Sequence, residues 1–296
     1  MADIIDLPYQ TAQYRADKRR YLLDKILRFF IQHVLLIIFG IIFMLPFLWM
    51  VSSSLKQDTE IFDLPVSLIP ASFDFGNYIE ALDAIDFWRY TVNSLFYTTV
   101  ATIGAVISNT FIAYGFARIK WPGRNIVFFL VLATMMLPFQ VRMIPLFILF
   151  SKIGWLNTFL PLIIPPFLGN AFYIFLMRQF MMTIPSELDD AARIDGCTEL
   201  GIFWRIVVPL MKPAIITIAI FEMVYAWNDF LGPLIYMRDA SNYTLSIGLQ
   251  LYFTQHGAEW ALLMAAATMF TLPMIIIFFF AQRTFIEGIS LTGIKG

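Results

Sequence analysis

Cysteine and histidine are almost absent from this chain of 296 residues, with one Cys and two His. Cys197 excludes an intramolecular disulfide, and with His33 and His256 remote in sequence it reads as a small apolar residue rather than a catalytic thiol. Metal-ligand spacing is lacking as well, and neither GxSxG nor HExxH occurs. No GxxxxGK[ST] loop is present, so the chain does not cradle nucleotide phosphates by that route. Charge is scarce, at 14%, and nearly balanced: 20 Lys and Arg against 21 Asp and Glu give a formal net charge of −1. Total charge therefore says nothing about partners, and only its distribution can inform.

What is abundant is apolar. A hydrophobic fraction of 59% with 31 Phe and a mean hydropathy of +0.75 exceed what a soluble domain carries. The uncharged run from Phe29 to Leu55 is too long for a signal-peptide core and lacks a small-x-small cleavage site, so it reads as a retained span. Further spans are expected over Tyr90 to Ala117, Asn125 to Val141, Ile153 to Met177, Pro213 to Phe230 and Trp260 to Gln282. Six spans make an all-α polytopic membrane protein, with 1–25 as a cytoplasmic N-terminal segment and 26–296 as the membrane domain. Placing both termini, Ala117 to Arg124 and Arg178 to Lys212 inside leaves only Lys56, Arg89, Arg142, Lys152 and Arg238 of the 20 basic residues outside.

Between spans four and five lies one long polar insertion, Ile184 to Ala214, IPSELDDAARIDGCTELGIFWRIVVPLMKPA. Ser186, with Asp189 three residues on, is expected to cap a helix over Glu187 to Asp195, and Gly196 sits where a left-handed terminus belongs. Thr198 is expected to cap a second helix, making a cytoplasmic helix-turn-helix. On the first helix Leu188, Ala191, Ala192 and Asp195 share one face, a stripe of mostly small residues suited to docking. Within span five, Glu222 falls about 15 Å beyond Lys212, near mid-bilayer. Two readings stay open there. Glu222 could line a path with Tyr225, Trp227 and Asn228, whose aromatic faces and polar groups suit sugar hydroxyls, or it could make a hydrogen bond between helices.

Asp190-Ala191-Ala192, Gly196 and Ile206-Val207-Val208-Pro209 resemble, in spacing throughout, the EAA loop of permease subunits of ATP-binding-cassette importers. Asp190 replaces the usual Glu and Val208 the usual Leu, which keeps charge sign and apolar character. Asn93-Ser94, AYGFARIKWPGRN (Ala113 to Asn125), MLPFQVRMIPLF (Met136 to Phe147), FLMRQF (Phe175 to Phe180), WNDFLGPL (Trp227 to Leu234) and the terminal LTGIKG are similar to the carbohydrate branch, specifically its six-span maltose-type subunit. The resemblance implies a bacterial inner-membrane permease paired with a second permease, two cytoplasmic ATPase subunits and an extracytoplasmic solute-binding protein. It implies no cofactor in this chain, with ATP and magnesium held by the ATPase, a carbohydrate substrate, lipid around the spans and no nucleic acid. Coupling to the ATPase would run through Glu187, Asp190, Ala191, Ala192, Asp195, Gly196 and Pro209, and Asp229 to Glu259, carrying TQHG, would probe the binding protein. The competing expectation is an ATP-independent secondary transporter or channel.

Overall fold

The computed structural model describes residues 7–65, 67–254 and 257–293; Gln255 and His256 of the TQHG segment and the last three residues of LTGIKG lie outside them. The first helix, α1 (Leu7–Ser53), runs from the polar N-terminal segment straight through the first apolar run, with Pro46 inside it. Apolar side chains such as Phe30, Leu36 and Phe43 stand exposed all round its middle, the pattern of a helix meant for an apolar surround. A short α2 (Gly76–Ala84) leads to α3 (Phe87–Ala117).

The centre of the molecule is α3. Its buried face is built of Ser94, Thr98, Ala101, Gly104, Ala105, Asn109 and Ala113, small residues that let neighbouring backbones approach. Gly104 is one such approach: a Cβ there would run into the Phe167 ring.

The expected span Asn125 to Val141 is corrected. Helix α4 (Arg124–Ala133) continues as a 3₁₀ turn to Met136 and then meets α5 (Phe139–Lys152) at a bend of 99°. The cause is Pro138, which forces Leu137 out of the helical region, to ψ 108. The next span starts later than expected and is itself broken. Leu160–Met181 is long and apolar enough to cross as one segment, but Pro165–Leu168 is 3₁₀ and the helix restarts as α6 (Ala171–Met181) after Gly169 at φ +97. Buried Asn109 holds that break from α3, its Oδ1 accepting from the Asn170 amide at 2.7 Å.

The insertion folds as α7 (Glu187–Ile194) and α8 (Glu199–Leu210), the latter carrying a π-turn over Phe203–Val207. A 77° bend leads into α9 (Lys212–Asn228), followed by α10 (Leu231–Tyr236) and α11 (Trp260–Gly293). Helix α9 packs along α3 on one side and α11 on the other. Among the described residues four helices are long and apolar enough to cross a membrane, or up to six if each bent pair is one span. Among the described residues the fold is all-α apart from a two-residue antiparallel pair, Phe253–Thr254 with Gly257–Ala258.

Candidate functional site: a polar cavity and a tethered helix-turn-helix

Two features stand out, and the same helices carry both. The first is a cavity of about 960 Å³ between α3, α5, α6 and α9. Glu222 and Tyr225 lie three apart on α9, with Asn228 and Asp229 at its end, so one side of the helix presents all four to the cavity. Glu222 is 5% exposed, whereas Tyr225 is 59% exposed. Across from them the Tyr173 hydroxyl of α6 lies against the Glu222 carboxylate. Tyr97 of α3 donates to Asp229 Oδ2 at 3.0 Å, and Asp229 Oδ1 accepts the Gly232 amide at 3.0 Å, starting α10.

Trp227 is corrected. It is 2% exposed and faces away from the cavity, stacked on Phe270 of α11 and donating its Nε1 hydrogen to the Phe270 carbonyl at 3.0 Å. Five residues beyond Glu222 is about 500° of helical turn, which sets Trp227 well away from the carboxylate face. Sequence reasoning had missed Asp229, Tyr97 and Tyr173. Asp229 was legible two positions after Trp227, but Tyr97 and Tyr173 belong to other helices and leave no local signal.

The second feature is the helix-turn-helix. Its turn is a Schellman motif, with the Cys197 amide bonded to the Ala192 carbonyl at 2.9 Å and the Gly196 amide to the Arg193 carbonyl at 3.1 Å, around Gly196 at φ +80. Thr198 caps α8 as expected, its Oγ1 accepting from the Gly201 amide at 3.2 Å. Ser186 does not cap α7, because its backbone is already helical (φ −71, ψ −19) and its side chain makes no capping bond. Asp189, expected in that capping box, turns inward instead and meets Arg118 of the α3 terminus, Nε to Oδ2, at 3.3 Å.

The small-residue stripe is corrected too. Asp189 and Ala192 form the buried side of α7, while Leu188, Ala191, Ile194 and Asp195 face outward together with Glu187, Asp190 and Gly196. The outward apolar surface is thus Leu188 and Ile194, the latter 87% exposed, with Leu200 and Trp204 of α8. Pro209 sits in the last turn of α8, just ahead of the bend into α9.

Arg118 and Tyr114 tie this unit to the end of α3, and Arg193 braces it internally. Arg118 also donates to the Met181 and Ile184 carbonyls, at 3.0 and 2.8 Å. Tyr114 of α3 donates to Glu199 Oε2 at 2.8 Å, and Arg193 bridges Asp190 and Glu199 at 2.7 and 2.8 Å. Burial pushes the Asp189 carboxyl above its ordinary 3.8, outweighing the opposing pull of Arg118. The Glu199 carboxyl goes the other way, held below 4.5 by its bonds from Arg193 and Tyr114. A lowered folded pKa contributes stability that is full above the unfolded value and lost as pH falls through the folded one. Acidification below pH 4.5 is therefore expected to loosen the start of α8. Amide exchange at 199–203, referenced to an unfolded peptide at each pH, checks this; Arg193→Ala should remove most of the dependence, and an unchanged profile would refute the assignment.

With this geometry in hand, comparison with known proteins decides the family. A family model described as "Binding-protein-dependent transport system inner membrane component" matches residues 109–290. The chain belongs to that family. The permease is 36% identical over 254 residues to the arabinooligosaccharides transport system permease protein AraQ of Halalkalibacterium halodurans, covering 85% of this chain and 91% of the relative. It is 32% identical over 266 residues to the sn-glycerol-3-phosphate transport system permease protein UgpE of Yersinia enterocolitica, covering 87% and 94%. A solved bacterial ABC transporter involved in import of the acidic polysaccharide alginate superposes with a TM-score of 0.77 at 27% identity, over 86% of this chain and 95% of that one. Membership sets aside the ATP-independent transporter.

Proposed function

We propose that this permease forms, with a second permease, the translocation path for a sugar or oligosaccharide delivered by a solute-binding protein, and that ATPase subunits drive it through the helix-turn-helix. The observation that carries the reading is mechanical. The aromatic and carboxylate-lined cavity and the helix-turn-helix share α3 and α9, since Tyr97 and Tyr114 stand on one helix and Glu222 follows α8 across a single bend. Displacement of α7 and α8 by an ATPase would therefore move both cavity walls, which alternating access requires. Leu188, Ala191 and Ile194, flanked by Glu187, Asp190 and Asp195, are the surface such a partner would grip, with Gly196 setting the turn and Pro209 the approach to the bend. Ala192 serves from the inside, as the floor on which α7 rests. At the cavity, Glu222, Tyr225 and Asn228 would meet hydroxyls and ring faces, and Trp227 would hold α9 against α11.

The orientation that the basic residues imply puts both termini and the helix-turn-helix on the cytoplasmic side. A tag after Gly296 or within Ala117 to Arg124 should be protected in intact cells, and one within Ser72 to Asp86 reachable; a reachable C-terminus reverses the topology.

Function is tested by uptake of labelled oligosaccharides into proteoliposomes holding the assembled complex. Accumulation should require both ATP hydrolysis and the binding protein, and accumulation without ATP would defeat the reading. In the same assay Glu222→Gln should change the half-saturating sugar concentration or the substrate preference several-fold with normal assembly. Identical kinetics would leave Glu222 as a bond between helices.

The relatives' cargoes comprise arabinooligosaccharides, a glycerol phosphate and an acidic polysaccharide. Kinship thus supports a carbohydrate-type solute and leaves its charge open.

A further inference from the structure

The charge of the cargo is written in the cavity wall. Glu222 and Asp229 are seven positions apart, two turns of helix, and both face the cavity. Asp229 is held as an acceptor by two donors, the Tyr97 hydroxyl and the Gly232 amide. Arg142 is the one basic side chain on that wall among the described residues; it is exposed and takes part in no ion pair there. The remaining polar lining, Tyr173, Tyr225, Tyr236, Asn170 and Asn228, is neutral and hydrogen-bonding.

Hydroxyl groups of a neutral sugar can donate to the carboxylates while a ring face lies on tyrosine. A uronate or phosphate in the same place would bring its own acceptor oxygens against Asp229, which two donors already hold as an acceptor, and against the Glu222 carboxyl behind it, where water is partly excluded. We infer that this wall sorts cargo by charge: it passes neutral or amino-bearing oligosaccharides and opposes uronates and sugar phosphates, with Glu222 and Asp229 as the specificity-determining residues. The inference rests on the reading of the cavity as a carbohydrate path.

The test uses the assembled complex in proteoliposomes with its own binding protein. Neutral oligosaccharides of two to five pentose or hexose units are supplied beside the same sugars bearing one terminal uronate. The binding protein has its own preference, so the readout is the uronate-to-neutral uptake ratio, compared between native and variant permease with the same binding protein. Glu222→Gln with Asp229→Asn should raise that ratio at least tenfold. Tyr225→Lys, which adds a cation at an exposed position of the same wall and asks little of folding, should raise it as well. A native complex that carries the uronate as readily as the neutral sugar, or variants that leave the ratio unchanged, would overturn the charge filter while the carbohydrate path stands. A complex that hydrolyses ATP yet carries neither kind of sugar would overturn both.

Discussion

Arg118→Ala is expected to detach the helix-turn-helix from the end of α3 and to abolish sugar-stimulated ATP hydrolysis. The Arg118 and Asp189 side chains are 7% and 2% exposed, and truncating one partner strands the other as a buried, unpaired charge. Breaking such a pair costs about 3–5 kcal/mol. The two carbonyls of Met181 and Ile184 lose their donor at the same time. The pair itself is not a strong net attraction: its contact is 3.3 Å, and Asp189 Oδ1 has no hydrogen-bond partner. Burial already pushes the Asp189 carboxyl upward, so that residue's own contribution to stability is full below pH 3.8 and is lost as pH rises through its folded value. Adding Asp189→Ala to Arg118→Ala should therefore recover part of the loss, because the stranded charge goes and only the carbonyls remain unsatisfied. Limited proteolysis between 183 and 198 and retention of the ATPase subunit measure this. A double variant that loses the sum of both single losses would show the charge argument to be wrong.

Gly196→Val should uncouple transport by a different route. A Cβ at Gly196 would meet no atom within 4 Å, so crowding is not the obstacle. The obstacle is φ +80, which a β-branched residue adopts at a cost of about 1–2 kcal/mol. The two turn bonds to Ala192 and Arg193 depend on that backbone state, and with them the angle between the exposed surfaces of α7 and α8. Membrane abundance should survive, whereas uptake and sugar-stimulated ATP hydrolysis fall together by about tenfold or more. Gly196→Asn, which tolerates the left-handed state, should keep most of the activity. Asp190→Lys should act in the same direction, since it replaces the partner of Arg193 with a like charge in the first turn of α7, where the macrodipole favours acids. Normal uptake in Gly196→Val with the ATPase still bound would remove the turn from the transmission route.

The sequence by itself determined what depends on neighbours within about one helical turn or on bulk composition. Apolar fraction and run lengths placed the first, second, fifth and last apolar helices but not the two broken ones between them, EAA-like spacing located the helix-turn-helix, and Gly196 and Thr198 marked its turn and second cap, since capping and left-handed states involve residues at most a few positions apart. The place of Glu222 in the middle of α9 likewise followed from counting along the helix.

Only the tertiary structure decided which way side chains turn once helices compete for the same space. Asp189 had a local role available as a cap and took a distant one with Arg118, because α7 packs its inner face on the α3 terminus. Trp227 looked like a sugar platform from its neighbours in sequence, yet α11 covers that side of α9 and claims its ring. The Tyr97 to Asp229 bond joins residues 132 positions apart. Membrane helices are apolar on nearly every face, so hydropathy periodicity cannot say which face meets lipid, another helix or a cavity, and that choice waits for the packing of the whole bundle.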